Sequence, residues 1–171
     1  MVRLLQIVVA TCFAAVTSAD HLITFHNRCA SKTITPAFHA ADGTSRYMPA
    51  ISNGGTTTTT VAEAKATWRI FGQTGTCGYP DGEYTVVADA SCLSAASSSN
   101  PAFRQCNLSR VDGFNVGIEF AWSDASCAGN YCLHSTCNGD RAFSTATNGG
   151  ASLRQCNTPN VGMTVTFSCD A

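Results

Sequence analysis

The residues of this chain best suited to chemistry are its cysteines, and the first question is whether they hold a metal or one another. Past the N-terminal leader there are nine: Cys29, Cys77, Cys92, Cys106, Cys127, Cys132, Cys137, Cys156 and Cys169. A structural zinc site wants cysteines two to four residues apart and a second ligand pair nearby. The Cys127, Cys132, Cys137 run has four residues in each gap, and no histidine pair completes it. His21, His26, His39 and His134 show no ligand spacing, so neither a metal nor another cofactor is expected. His21 would become a terminal, copper-competent histidine only if the leader were cut after Asp20, a site signal peptidase disfavours. Disulfides are the remaining use, and they imply an oxidising compartment. An odd count leaves one thiol over.

Other reactive patterns are sparse. The chain has no G-x-S-x-G elbow, phosphate loop or H-E-x-x-H pair. Asn107-Leu108-Ser109 is an N-glycosylation sequon, the only one in the chain. Tyr47, Tyr79, Trp122 and Tyr131 fall in or beside segments that read as loops, where rings can bury the apolar face of a sugar. Trp122 alternates with Phe120, so at least one of the two belongs to the core, and Trp68 reads as packing.

The first nineteen residues read as a secretory signal: Arg3 supplies the positive end, Leu4 to Ala15 is almost wholly apolar, and Thr17-Ser18-Ala19 offers small residues for cleavage. That stretch is shorter than the roughly 20 apolar residues that span a bilayer, so no membrane anchor is expected. Cleavage after Ala19 would leave 20–171, or 152 residues (171 less 19), enough for one domain with a true core. Nine Lys and Arg (ten less Arg3) then face eleven Asp and Glu, a net of −2. The charges are scattered with no basic stripe or like-charge block, which argues against a nucleic-acid partner.

The elements that must position these residues are strands. His21 to His26 and Lys32 to Thr35 alternate polar and apolar; Thr56 to Thr60 and Thr67 to Phe71 are rich in β-branched and aromatic residues. Glu83 to Val87, Val116 to Phe120 and Met163 to Phe167 follow the same patterns. Turns are marked by Asn53-Gly54-Gly55, Pro80-Asp81-Gly82, Asp112-Gly113 and Asn148-Gly149-Gly150. Ala62 to Ala66 is the best helical candidate and is too short to stand alone. Ser94 to Asn100 is small and polar, a surface loop. An all-β, single-domain sandwich or flattened barrel is expected.

Several segments carry a more specific signal: Ile23-Thr24-Phe25-His26-Asn27-Arg28-Cys29, then Trp68-Arg69-Ile70-Phe71-Gly72-Gln73-Thr74-Gly75, then Leu108-Ser109-Arg110-Val111-Asp112-Gly113-Phe114-Asn115-Val116. Cys127, Cys132, Arg154-Gln155-Cys156 and Thr166-Phe167-Ser168-Cys169 complete the series. In this order, over nearly all of 20–171, they resemble the thaumatin-like (osmotin, pathogenesis-related) family. Only eighteen residues separate Cys137 from Cys156, where long members insert a second domain, so the chain is similar to the short class. The resemblance implies a disulfide-stapled flattened β-sandwich with Cys29–Cys169, Cys127–Cys156 and a shortened Cys132–Cys137 bridge. Cys92–Cys106 is favoured across the Ser-rich loop, leaving Cys77 odd.

Family members bind, and in some cases hydrolyse, β-1,3-glucan in an acidic cleft. Hydrolysis needs two carboxylates flanking the bond. By resemblance Glu83 matches the family glutamate and Asp112 a family aspartate. The second aspartate is replaced by Asn107, the arginine has no counterpart near Gly78, and the second-domain aspartate has no segment to carry it. Asp112 also reads as an ordinary Asp-Gly turn residue and Glu83 as an exposed strand residue. The expectation is a secreted, monomeric, non-catalytic binding or defence module with ligand residues among Glu83, Asp112, Asn107, Tyr79 and Trp122. Its partner would be cell-wall β-glucan or an extracellular protein. The competing expectations are an endo-β-1,3-glucanase using Glu83 and Asp112, and a secreted effector or enzyme inhibitor.

Overall fold

The computed structural model describes residues 20–40, 45–62, 67–74, 89–94, 104–111, 114–145 and 149–169, with backbone alone for a minority of strand residues, 89–94 among them. Among these, regular structure is strand apart from a 3₁₀ turn at Gly149–Ser152. The strands are β1 (Asp20–Asn27), β2 (Thr35–Ala40), β3 (Ser45–Tyr47), β4 (Thr56–Ala62), β5 (Thr67–Gln73) and β6 (Asp89–Ser94), followed by β7 (Arg104–Ser109), β8 (Gly117–Trp122), β9 (Asn130–Cys132), β10 (Arg154–Cys156) and β11 (Met163–Ser168). They form a five-stranded sheet in the order β4-β1-β11-β8-β9 and a six-stranded sheet in the order β10-β7-β6-β5-β2-β3.

Alternation decides which side chains meet between the sheets. On β1, His21, Ile23, Phe25 and Asn27 are buried while Leu22, Thr24 and His26 are not, the period of two that a pleated strand imposes. Phe25, Ile118, Phe120, Val165 and Phe167 come from one sheet and Phe38, Ile70 and Leu108 from the other, in one continuous core. Phe25 bridges the two layers: its ring meets Phe38 edge-on at 5.4 Å and stacks on Phe167 at 6.3 Å. Gly72 is required at this seam, because a Cβ there would stand 2.8 Å from the Phe167 ring and 2.9 Å from Ile34.

The first and last strands pair in parallel, from Ile23↔Met163 to Asn27↔Phe167. Just beyond this ladder Cys29 is bonded to Cys169, 140 residues away in sequence. In the chain-entropy account a loop of that length contributes about 5 kcal/mol. Cys127–Cys156 and Cys132–Cys137 staple the other side of the molecule. Cys106 is also disulfide-bonded, and the β6–β7 register sets Cys92 opposite it.

The architecture departs from the sequence expectation in identifiable places. The strand expected over Lys32 to Thr35 begins at Thr35 and runs on through Pro36. Pro36 lies one residue outside the β2–β3 ladder, which opens at Ala37↔Tyr47; its carbonyl accepts from Met48 N at 2.9 Å, and its missing N–H leaves that pair with one bond at the ladder's end. Ser94, expected in a loop, closes β6 opposite Arg104, and Ala62, expected in a helical turn, closes β4. Tyr47 is a strand residue, half-buried against Ala37 and Phe71 on the face of its sheet away from the main core. The Glu83 to Val87 strand and the Pro80-Asp81-Gly82 and Asp112-Gly113 turns lie outside the described residues, as do the side chains of Trp68 and Cys92.

Asn27 ends β1 by serving three backbone groups. Its amide nitrogen donates to the carbonyls of Lys32 (2.9 Å) and Ile51 (2.8 Å), and its oxygen accepts from Cys29 N at 2.8 Å. The adjoining turn closes with Gly54 at φ 74°, its N–H donating to the Asn27 carbonyl at 2.7 Å. Positive φ favours glycine here. Asn27 is fully buried, so Asn27→Ala strands one N–H and leaves two carbonyls without this donor. A loss of about 3 kcal/mol is expected in chemical denaturation, and a loss under about 1 kcal/mol would contradict this role.

Candidate functional site

Of the five expected ligand residues, Asn107 and Trp122 are described, and the fold does not bring them together. Asn107 sits on β7 opposite Ser91. Its neighbours Cys106 and Leu108 are fully buried in the core, so Asn107 projects from the other face of the six-stranded sheet. It is half-buried, and its Oδ1 is buried with no partner among the described residues. Trp122 ends β8 opposite Met163, at the rim of the core side of the five-stranded sheet. Its ring packs edge-on to Phe120 at 5.6 Å, and its Nε1 donates to the Ala128 carbonyl at 3.2 Å. Glu83, Asp112 and Tyr79 lie outside the described residues.

The segments flanking Asp112 are anchored by groups that sequence reading passed over. Asn115 Nδ2 donates to the Gly72 carbonyl (2.9 Å) and to Thr74 Oγ1 (3.3 Å), tying this segment to the end of β5. Its Oδ1 accepts from Val116 N, and Ser109 Oγ accepts from Val111 N. Arg110 N donates to the Phe143 carbonyl at 2.9 Å. The Phe114-Asn115-Val116 half of the motif therefore carries structure. An asparagine beside a turn signal is the only hint the sequence held.

Beyond β8 the chain makes a disulfide-framed loop region around a second buried asparagine. Asn130 Nδ2 donates to the carbonyls of Arg141 (2.8 Å) and Ser152 (2.9 Å), and its Oδ1 accepts from Tyr131 N at 2.9 Å. Gly129 precedes it because a Cβ there would strike the Phe120 carbonyl oxygen. Three arginines hold this region. Arg110 Nη1 donates to the Ser135 carbonyl at 2.7 Å. Arg154 donates to the carbonyls of Ala151, Leu153 and Asp140. Arg141 lies 4.0 Å over the Tyr131 ring, a cation–π contact.

Tyr131 also belongs to a wide polar face. Cross-strand register places Thr56, His26, Thr166, Glu119 and Tyr131 in one row over all five strands of their sheet. A parallel row runs Thr58, Thr24, Thr164, Ala121. Thr56, Thr58, Thr164, Ala121 and Tyr131 are exposed, Thr24, His26 and Glu119 are half-buried, and Thr166 in the middle of its row is buried, while Leu22 adds an apolar corner at 51% exposure. Side chains on such a face stand about 4.8 Å apart across strands and about 6.7 Å along them. The ladder hydrogen bonds hold that spacing, so the face is preorganised.

Among the described residues one group of potential metal donors comes together. Asp124, Cys127 and Cys156 cluster within 4.8 Å, but the two sulfurs are bonded to each other and supply no thiolate. His21 is buried, with Nδ1 2.8 Å from the Val161 carbonyl.

The architecture is shared with solved proteins. The protein elicitor MoHrip2 from Magnaporthe oryzae is 16% identical and superposes with a TM-score of 0.60 over 86% of this chain and 98% of its own. The thaumatin-like xylanase inhibitor TLXI is 15% identical, with a TM-score of 0.61 over 85% of this chain and 97% of its own. No protein-family model and no curated protein matches the sequence. At these identities the likeness is one of fold: the chain has the thaumatin-like fold.

Asp124 supplies a test of how the loops beside the site are held. Its carboxylate accepts from the Thr158 hydroxyl and from Ser126 Oγ (2.7 Å) and N (2.9 Å), joining the loop after β8 to the one before β11. The Thr158 hydroxyl first, then Ser126, draw its pKa below the usual 3.8. A depressed carboxylate contributes stability above its unfolded pKa and loses it as pH falls through the folded one. The melting temperature should therefore fall on acidification below about pH 4, and less steeply in Asp124→Asn. Identical profiles would show that these contacts carry nothing.

Proposed function

We propose that this protein is an extracellular, non-catalytic binding module acting on cell-wall polysaccharide or on an extracellular protein in a defence or host-interaction setting. The observation that carries the reading is the registered outer face of the five-stranded sheet, a broad polar surface with Tyr131 at one end. Hydroxyl, imidazole and carboxylate groups in fixed rows can exchange hydrogen bonds with a flat polar ligand, and the ring offers an apolar anchor. Disulfides suit an oxidising, extracellular setting. An elicitor and a xylanase inhibitor share the fold, and both are proteins named for their action on other molecules, which supports the reading.

Asn107 argues against hydrolysis. By resemblance it stands where the family carries an aspartate, and an amide cannot serve as acid, base or nucleophile. We expect no release of reducing sugar from laminarin, with Asp112→Asn altering melting temperature more than turnover. Robust hydrolysis abolished by Glu83→Gln would overturn the non-catalytic reading. In the same preparations, pull-down with insoluble β-1,3-glucan and inhibition of a xylanase probe the two ligand classes. Thr58→Lys with Thr164→Lys should weaken whichever binding is found about tenfold without lowering the melting temperature. Unchanged binding would remove the sheet face from the proposal.

The sequon at Asn107 is a further part of this proposal. Protein secreted from a eukaryotic host should carry an N-glycan on Asn107, seen as a mass lost on N-glycosidase treatment and absent from Asn107→Gln. A secreted chain with the bare polypeptide mass would reject it.

A further inference from the structure

We propose that β4 is an open sheet edge that joins two copies of this chain, strand against identical strand, about a two-fold axis. This pairing is independent of which ligand the outer face of the sheet takes. A strand at the edge of a sheet offers its unpaired backbone groups to any extended chain. At β9, β3 and β10 that offer is cut short, because each is three residues long. β4 is the exception. It runs for seven residues, Thr-Thr-Thr-Thr-Thr-Val-Ala, without a charge, a proline or a glycine. Among the described residues its backbone partner is β1 alone.

The phase of the β1–β4 ladder tells which groups are left over. Asn27 N donates to the Gly55 carbonyl at 3.0 Å, one step past the His26↔Thr56 pair. Bonded pairs recur at every second residue of an antiparallel ladder, so Phe25↔Thr57, Ile23↔Thr59 and His21↔Val61 are the bonded ones. Thr56, Thr58 and Thr60 therefore turn their N–H and C=O groups to the open side, and their side chains are exposed.

Two observations select a second copy as the occupant. The threonine run reads alike in both directions, so an antiparallel partner centred on Thr58 sets Thr58 opposite Thr58 and Thr56 opposite Thr60. Each such pair can exchange both backbone bonds, and threonine facing threonine is a favourable cross-strand pair. No like charges meet at the seam, since His26, beside Thr56, falls in line with Leu22 of the other copy. The second observation lies on the inner face. Thr59 is 7% exposed, and its Oγ1 is buried with no partner among the described residues. The same register sets Thr57 of the other copy opposite Thr59, where its hydroxyl can supply the missing hydrogen bond. Pairing joins two five-stranded sheets into one and uses up the open side of both β4 strands, so the assembly closes at a dimer.

The test is sedimentation velocity of the full secreted chain over a concentration series. An interface one strand wide is smaller than those of stable complexes, so a dimer with a dissociation constant on the order of 100 µM is expected. Thr58→Lys and Thr58→Asp each set like charges opposite one another at the axis and should weaken association at least about tenfold. Because Thr58 is exposed, neither should lower the melting temperature of the dilute chain appreciably. An equimolar mixture of the two variants should dimerise again, since the lysine of one chain then faces the aspartate of the other. A chain that stays monomeric up to about 1 mM, as the sequence alone leads one to expect, would overturn the pairing. So would a dimer that persists in both single variants or fails to return in their mixture.

Discussion

Everything in this molecule depends on the parallel pairing of its first strand with its last. β1 and β11 are the second and third strands of the five-stranded sheet. Without their ladder β4 and β1 would be a detached hairpin-like pair, and β8 and β9 would have lost the other half of their sheet. Such a contact is entropically late, since the whole chain must be in place before it forms. The fold concentrates its strongest fixtures there. Phe25 and Phe167 stack within the ladder, Asn27 closes its end, and Cys29–Cys169 makes the closure covalent. An otherwise antiparallel sandwich is thereby held from its middle.

The same ladder makes the outer surface. A strand cannot bury Ile23 and Phe25 without turning Leu22, Thr24 and His26 outward, and in-register neighbours must do likewise. The polar rows from β4 to β9 are thus the obligatory reverse of the phenylalanine core. Threonine suits both demands, since its branched Cβ favours the extended backbone and its hydroxyl faces solvent. The loops at the far edge are set by a different means. Asn115 and Asn130 act as plugs whose amides satisfy carbonyls from separate segments, a way of ordering irregular backbone that has no ladder of its own.

How much was legible follows from these physical differences. Long alternating strands such as β1 and β11 announce themselves, because burial on one face writes a period of two into the sequence. β3, β9 and β10 are three residues each, too short for any period to register. β6 reads Asp-Ala-Ser-Cys-Leu-Ser, turn-like in composition, and is a strand because β5 and β7 flank it. The structural asparagines hide because the residue type signals turns wherever it occurs. Trp122, which reads as a loop aromatic in the sequence, ends β8 with its indole nitrogen on the Ala128 carbonyl and its ring against Phe120. Of the five positions of the glucan cleft, Glu83 and Asp112 alone are matched, by resemblance, so its reading stands as a proposal.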